Sequence, residues 1–357
     1  MTVVVYFATN RNEEGTDQAP NFGPFFHAQG PSYLRFGRAE VEPPSQPGGA
    51  YLLTRIEVAP EQNLGAQPND LARPVLGSVT IFNELRGKMK AQASDLLLLI
   101  HGFASDFETA ILRAAQIKHL YPPSGSACEV AVFSWPADGT MVPVLSYLSD
   151  RDDAKASGPA ISRALMKVLE YFRTLGDHGR EAYCFQNLHL IAHSMGAYAL
   201  RNALQSMQSQ HAGGGKTLPR IFRNIFLMAP DEDNDAFEFD HKLQRLPEMT
   251  EALHVYYSAT DGALTISDVT KGNPDRLGTT GPRKLSDLPH KITLIDCRDV
   301  ADTGSLSEAN HQYYRNRSEV LFDIRQVLSG APSDRIDGRD YIPEKRAYRI
   351  RPSRRSG

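Results

Sequence analysis

Ser194 stands in the run Ile191-Ala192-His193-Ser194-Met195-Gly196-Ala197. An apolar stretch, 188–192, precedes it, and Ala197, Leu200, Leu204 and Met207 follow at helical spacing. A serine on a sharp strand-to-helix turn presents its hydroxyl as a nucleophile and holds its backbone under strain. Residues two before and two after must then be small, and here they are Ala192 and Gly196. Glycine is commonest at the first of these places; Ala192 adds one methyl and still meets the steric demand. The helix opening after Ser194 offers free N–H groups and a positive dipole end to a developing anion. The N–H of Met195 is therefore expected to donate to an oxyanion. A second apolar run, 96–100, leads into His101-Gly102-Phe103. Gly102 lets the backbone approach a substrate, and the N–H of Phe103 is expected to be the second donor. His101 is expected to brace the loop through a hydrogen bond.

Serine alone is a weak nucleophile and needs a positioned base. The chain order that accompanies such an elbow is serine, acid, histidine. His311 lies after the strand-like run 292–295 and before a closing helix, where the base is expected. The other histidines fit less well. His290 precedes that strand, His254 begins one, His211 and His241 come too early or sit in loops, and His193 turns away from the nucleophile. Two acids follow strands: Asp231 after 225–228, and Asp261 after 253–257. Asp261, on the later loop, is the preferred partner, while Asp231 also reads as a helix cap within an acidic run. The acid would fix the imidazole tautomer and stabilise the imidazolium. Trp135 and Tyr147 are expected to line the substrate pocket. Tyr147 and Asp150 fall in a cap or pocket-edge stretch, 136–155, where a cap for a helix beginning near Ala154 is the plainer reading.

The elements that must hold these residues alternate. Strands are expected at 3–8, 51–58, 78–82, 96–100, 130–134, 188–192, 225–228, 253–257 and 292–295. Helices are expected from a capping box at 105–108, over 161–172, after Ser194, and over 320–328. Continuous apolar strands between amphipathic helices imply an α/β fold with a mostly parallel sheet covered on both faces. Ligands of such sheets sit at the carboxyl ends of the strands. One domain over 1–330 is expected, with strands and an irregular arm in 1–90 and a solvated basic tail over 331–357.

Composition narrows the function classes. The 357 residues are 41% hydrophobic and 23% charged, ordinary for a folded enzyme, and the net charge of −3 gives no reason to expect a nucleic-acid partner. Three widely spaced cysteines form no disulfide or zinc pattern. No metal ligand set or cofactor motif emerges, and none is expected. Gly213-Gly214-Gly215-Lys216-Thr217 lacks the first glycine of a phosphate loop and follows a helix, so it reads as a linker. The absence of a signal-like start or membrane-length apolar run sets the expectation of a soluble, cytoplasmic protein without a membrane span.

With these residues in place, the chain resembles the α/β-hydrolase group called domain of unknown function 900. The likeness covers roughly residues 1–328. It rests on Phe7-Ala8-Thr9-Asn10-Arg11, Leu34-Arg35-Phe36-Gly37, Leu99-Ile100-His101-Gly102-Phe103 and Phe133-Ser134-Trp135-Pro136, then on Ala192-His193-Ser194-Met195-Gly196, Ala229-Pro230-Asp231, Asp261 and Asn310-His311. The resemblance implies the α/β-hydrolase fold and esterase- or lipase-like chemistry without supplying a substrate. The expectation is a serine carboxylesterase acting on a small or medium acyl ester. Lipase, thioesterase and amidase chemistry remain open with the same residues, as does a catalytically silent binding protein on this fold.

Overall fold

Along residues 95–100 the side chains alternate between two apolar faces. Leu97 and Leu99 join one core, and Leu98 and Ile100 the other. A strand buried on both faces must lie inside a sheet covered by helices. The computed structural model describes residues 2–46, 48–60, 76–138, 145–211, 217–264, 275–300 and 310–353. In spatial order its main sheet runs β12 (Arg339–Ile342), β13 (Ala347–Ile350), β11 (Ile292–Asp296), β10 (Thr250–Tyr257), β9 (Phe222–Met228), β8 (Leu188–His193), β6 (Asp95–Ile100), β7 (Cys128–Ser134), β1 (Val3–Thr9), β4 (Arg35–Glu42) and β5 (Leu52–Val58). Neighbours from β1 through β13 are parallel, and β4, β5 and β12 add antiparallel edges. This is the α/β-hydrolase fold.

One face packs on α1 (Gly77–Gln92), α4 (Gly158–Gly176) and α5 (Met195–His211), through Ile81, Leu85, Ile161, Leu165, Leu200 and Leu204. The other packs on α2 (Phe107–Leu120) and a helix we call α6 (Ser318–Leu328), through Ile111, Ala114, Val320 and Ile324. α3 (Leu145–Ala156) lies against α5. Strand order reverses at β6, because β7 goes to one side of it and β8 to the other. Such a switch opens a crevice at the carboxyl ends of the strands, and the loops after β6 and β8 meet there. Among the described residues, no helix is long and apolar enough to cross a membrane.

Several local expectations change. Residues 78–82 form the start of α1, not a strand: Ile81, Leu85 and Met89 recur every four residues, a period the short window hid. The irregular arm holds a hairpin, β2 (Arg11–Thr16) with β3 (Ala19–Phe26), and then β4. The hairpin carries little apolar alternation, so composition alone reads it as coil. α2 is capped by Asp106, which accepts from the Thr109 N–H at 2.8 Å, rather than by Ser105. The helix expected near Ala154 already begins at Leu145 and contains both Tyr147 and Asp150. The Arg-rich tail contributes β12 and β13 to the sheet. The glycine-rich 213–216 segment lies outside the described residues.

Candidate active site

Ser194 adopts φ 53°, in the left-handed region, at the junction of β8 and α5. A non-glycine residue stays there only when its surroundings over-determine it. Here the Ser194 N–H donates to the Met228 carbonyl at 2.9 Å, and its carbonyl accepts from Ala197 at 2.9 Å and Asp231 at 3.1 Å. The turn is crowded as its steric logic demands. A Cβ on Gly196 would stand 2.4 Å from the Ile100 carbonyl oxygen. A Cβ on Gly102 would stand 3.0 Å from Ser194 Cβ, so the loop after β6 packs directly on the elbow. Met195 opens α5, and its N–H belongs to the first helical turn, whose donors have no intrahelical acceptor.

His101 braces that loop. Its Nε2 accepts from the Trp135 N–H at 3.1 Å, and its Nδ1 donates to the Gly102 carbonyl at 2.9 Å. Burial pushes this imidazole well below the usual histidine range, which agrees with a neutral ring using one nitrogen each way. The Trp135 indole donates to the His101 carbonyl at 2.9 Å and stacks on its ring at 4.9 Å. Trp135 is fully buried. The expected contact of Trp135 with substrate therefore finds no open surface; its indole spends its area on His101.

Two further buried charges hold the same loop. The Arg11 guanidinium donates to the Ser105 carbonyl at 2.7 Å, to the Ala137 and Gly23 carbonyls, and to Ser134 Oγ. From α3, the Asp150 carboxylate accepts from the N–H of Ala104 at 3.0 Å and of Asp138 at 3.2 Å. Ala104 itself has φ 51°. Burial pushes the Asp150 carboxyl up to about 6. Tyr147, one turn earlier on α3, places its ring 5.8 Å from that of Phe103 and donates its hydroxyl to Asp231 at 2.5 Å.

His311 and Asp261 meet: Nδ1 lies 2.7 Å from Asp261 Oδ2. Asp261 is fully buried at the end of β10, and its other oxygen accepts from the Leu264 N–H at 3.2 Å. Asn310, at φ 60°, donates to Thr260 Oγ1 at 2.6 Å and so ties the histidine loop to the acid loop. His193, next to the serine, donates from Nε2 to the His311 carbonyl at 3.3 Å, with its ring 4.8 Å from that of His311 and 4.4 Å from that of Tyr314. Burial, then the neighbouring His311, hold His193 well below the usual range. Elbow, acid loop and histidine loop are thus linked by direct contacts.

Asp231, the rival acid, faces elsewhere. Its carboxylate joins Tyr147, Arg276 at 3.6 Å and Arg151 at 3.9 Å. His254, expected to begin a strand, lies within β10 and is taken up in a chain running Asp95–His189–Asn224–His254 with steps of 3.2, 3.0 and 3.1 Å. Sequence reasoning missed Arg11, Asp150 and His193 as supports of the site. Their signal was positional only: a buried-type loop flanked by charges, and a histidine beside the serine.

Residues 80–330 match the family model described as alpha/beta hydrolase of unknown function (DUF900), and the chain belongs to that family. It is also similar to the uncharacterized protein alr1448 of Nostoc sp., 28% identical over 166 residues, which is 39% of this chain and 39% of that protein. The likeness thus spans well under half of that relative.

Proposed function

We propose that this chain is a serine hydrolase that cleaves carboxylic esters through an acyl-enzyme on Ser194. The observation that carries the reading is the His311–Asp261 contact of 2.7 Å, joined through His193 to a serine held at φ 53°. Family membership supports hydrolysis in general.

In this reading Asp261 accepts from His311 Nδ1 and leaves Nε2 to act as base. His311 takes the Ser194 proton as Oγ attacks the ester carbonyl. The N–H groups of Met195 and Phe103 receive the oxyanion, where fixed donors stabilise charge more than water does. The tetrahedral intermediate collapses, the C–O bond to the alcohol breaks, and His311 protonates the departing oxygen. Water then loses a proton to His311, attacks the acyl carbon, and releases the carboxylic acid with Ser194 restored. Tyr147, through Asp231 and Phe103, fits the pocket edge. Ser194→Ala should lower turnover of a short-chain aryl ester by about a millionfold. Wild-type turnover in that variant would overturn the reading.

A further inference from the structure

Two motifs singled out in the sequence, 7–11 and 133–136, have no step in the proposed chemistry, yet they are joined to each other. Thr9 donates its hydroxyl to the Ser134 carbonyl at 2.7 Å and accepts from the Arg11 N–H at 3.1 Å. Arg11 Nε then donates to Ser134 Oγ at 2.9 Å. The guanidinium is fully buried, and its four hydrogen-bond partners are all neutral: Ser134 Oγ and the carbonyls of Gly23, Ser105 and Ala137. Among the described residues no carboxylate forms an ion pair with Arg11; Asp106, Asp150 and Asp153 act on it only from farther away.

A charge taken out of water with no counter-ion in contact is costly. A neutral side chain could brace the same carbonyls at less cost, so the charge itself needs a use. It is felt at the loop after β6. Burial first, and then the Arg11 charge, hold the His101 imidazole well below the usual range. His101 stands two residues before Phe103, whose N–H is the proposed oxyanion donor. The same loop carries the Asp150 carboxylate on the Ala104 N–H, a charge that opposes an anion at Phe103. In a dry interior a fixed cation favours an anion that forms nearby.

We propose that Arg11 is a positioning residue whose buried charge, acting through the loop it braces, favours the oxyanion at Phe103 and offsets Asp150. The proposal rests on the serine mechanism above.

The test cancels the charge without removing Arg11. Ser134→Asp sets a carboxylate on Arg11 Nε; Ser134→Asn has the same size and no charge. Both are measured for turnover of a short-chain aryl ester, for Tm, and for affinity toward phenylboronic acid. The boron of that acid takes up Ser194 Oγ and becomes a tetrahedral anion. Relative to Ser134→Asn, Ser134→Asp should lower kcat about tenfold, less than the roughly hundredfold effect of a lost donor. The boronic acid should weaken by a similar factor, with KM unchanged. Tm should be equal or higher in Ser134→Asp, because the buried charges pair. A purely structural role would move kcat and Tm together. Arg11→Lys against Arg11→Gln makes the same comparison without added volume. Both lose the guanidinium fork, and the lysine variant, which keeps the charge, should retain about tenfold more kcat. If one pair does not fold, the other decides. The inference is overturned if charged and neutral members of a pair share one kcat, or if KM carries the difference. With an active wild type, that result fails this inference alone. A wild type that neither turns over the ester nor takes up the boronic acid fails the serine mechanism as well.

Discussion

Asp261 and Asp231 show how two carboxylates of similar sequence context part company. Both follow parallel strands and both are buried, yet only Asp261 reaches His311. Asp231 is occupied by Tyr147, Arg276 and Arg151. Asp261→Asn would present an amide to Nδ1 and favour the wrong imidazole tautomer. Steady-state kinetics should show kcat reduced about ten-thousandfold, with KM little changed. Asp231→Asn should cost far less turnover; equal losses in the two variants would contradict the assignment. The residue types that could do chemistry were legible in sequence because each follows a strand. His193 was not, because its partner is a backbone carbonyl more than a hundred residues away, and no local pattern encodes that.

α3 is the element that joins the parts of the site. Within two turns it sends Tyr147 to Asp231 and Phe103, Asp150 to Ala104, and Arg151 across the Tyr198 ring of α5 at 3.6 Å. The backbone of Ala104 directly follows Phe103, so in the proposed mechanism Asp150 acts as a positioning residue for the Phe103 N–H. Asp150→Asn replaces one acceptor oxygen with an amide nitrogen that faces an N–H. kcat should fall by about a hundredfold, the effect of displacing one oxyanion donor, while KM holds. Its pH dependence has a definite sign. The folded carboxyl sits at about 6, above its ordinary 3.8. The native state therefore binds the extra proton between these values, and stability falls as pH rises through them. Asp153 and Glu232 are pushed up in the same direction by burial, so denaturant titrations from pH 4 to 7 should show a shallower decline in Asp150→Asn than in the wild type; parallel curves would contradict the Asp150 contribution. At this scale sequence was an uneven guide. Strands buried on both faces and the helices α4 and α5 declared themselves by period. α1 did not, since Val79, Thr80 and Ile81 look strand-like until Leu85 and Met89 complete the face.

Across the whole molecule the carboxyl-terminal strands are locked in by buried charge. Arg339 of β12 makes paired hydrogen bonds to Asp323 of α6, at 2.7 and 2.5 Å, and the Tyr256 hydroxyl of β10 donates to the same carboxylate at 2.6 Å. Arginine count over the last residues reads as a solvated tail because composition does not reveal which arginine is buried. Arg339→Met would strand the Asp323 charge and should cost about 3–5 kcal/mol of stability, measured by urea unfolding. The double variant Arg339→Met/Asp323→Leu should recover part of that loss; no recovery would argue against the buried pair. These strands extend the sheet beyond β11, which precedes the loop carrying His311. In the proposed mechanism His311 activates Ser194 as the nucleophile. The most direct measurement is reaction with a fluorophosphonate probe, followed by mass-spectrometric mapping of the modified peptide. The expected result is a label on Ser194 that is lost in His311→Ala; an unlabelled Ser194 in the wild type, or labelling undiminished without His311, would contradict the mechanism.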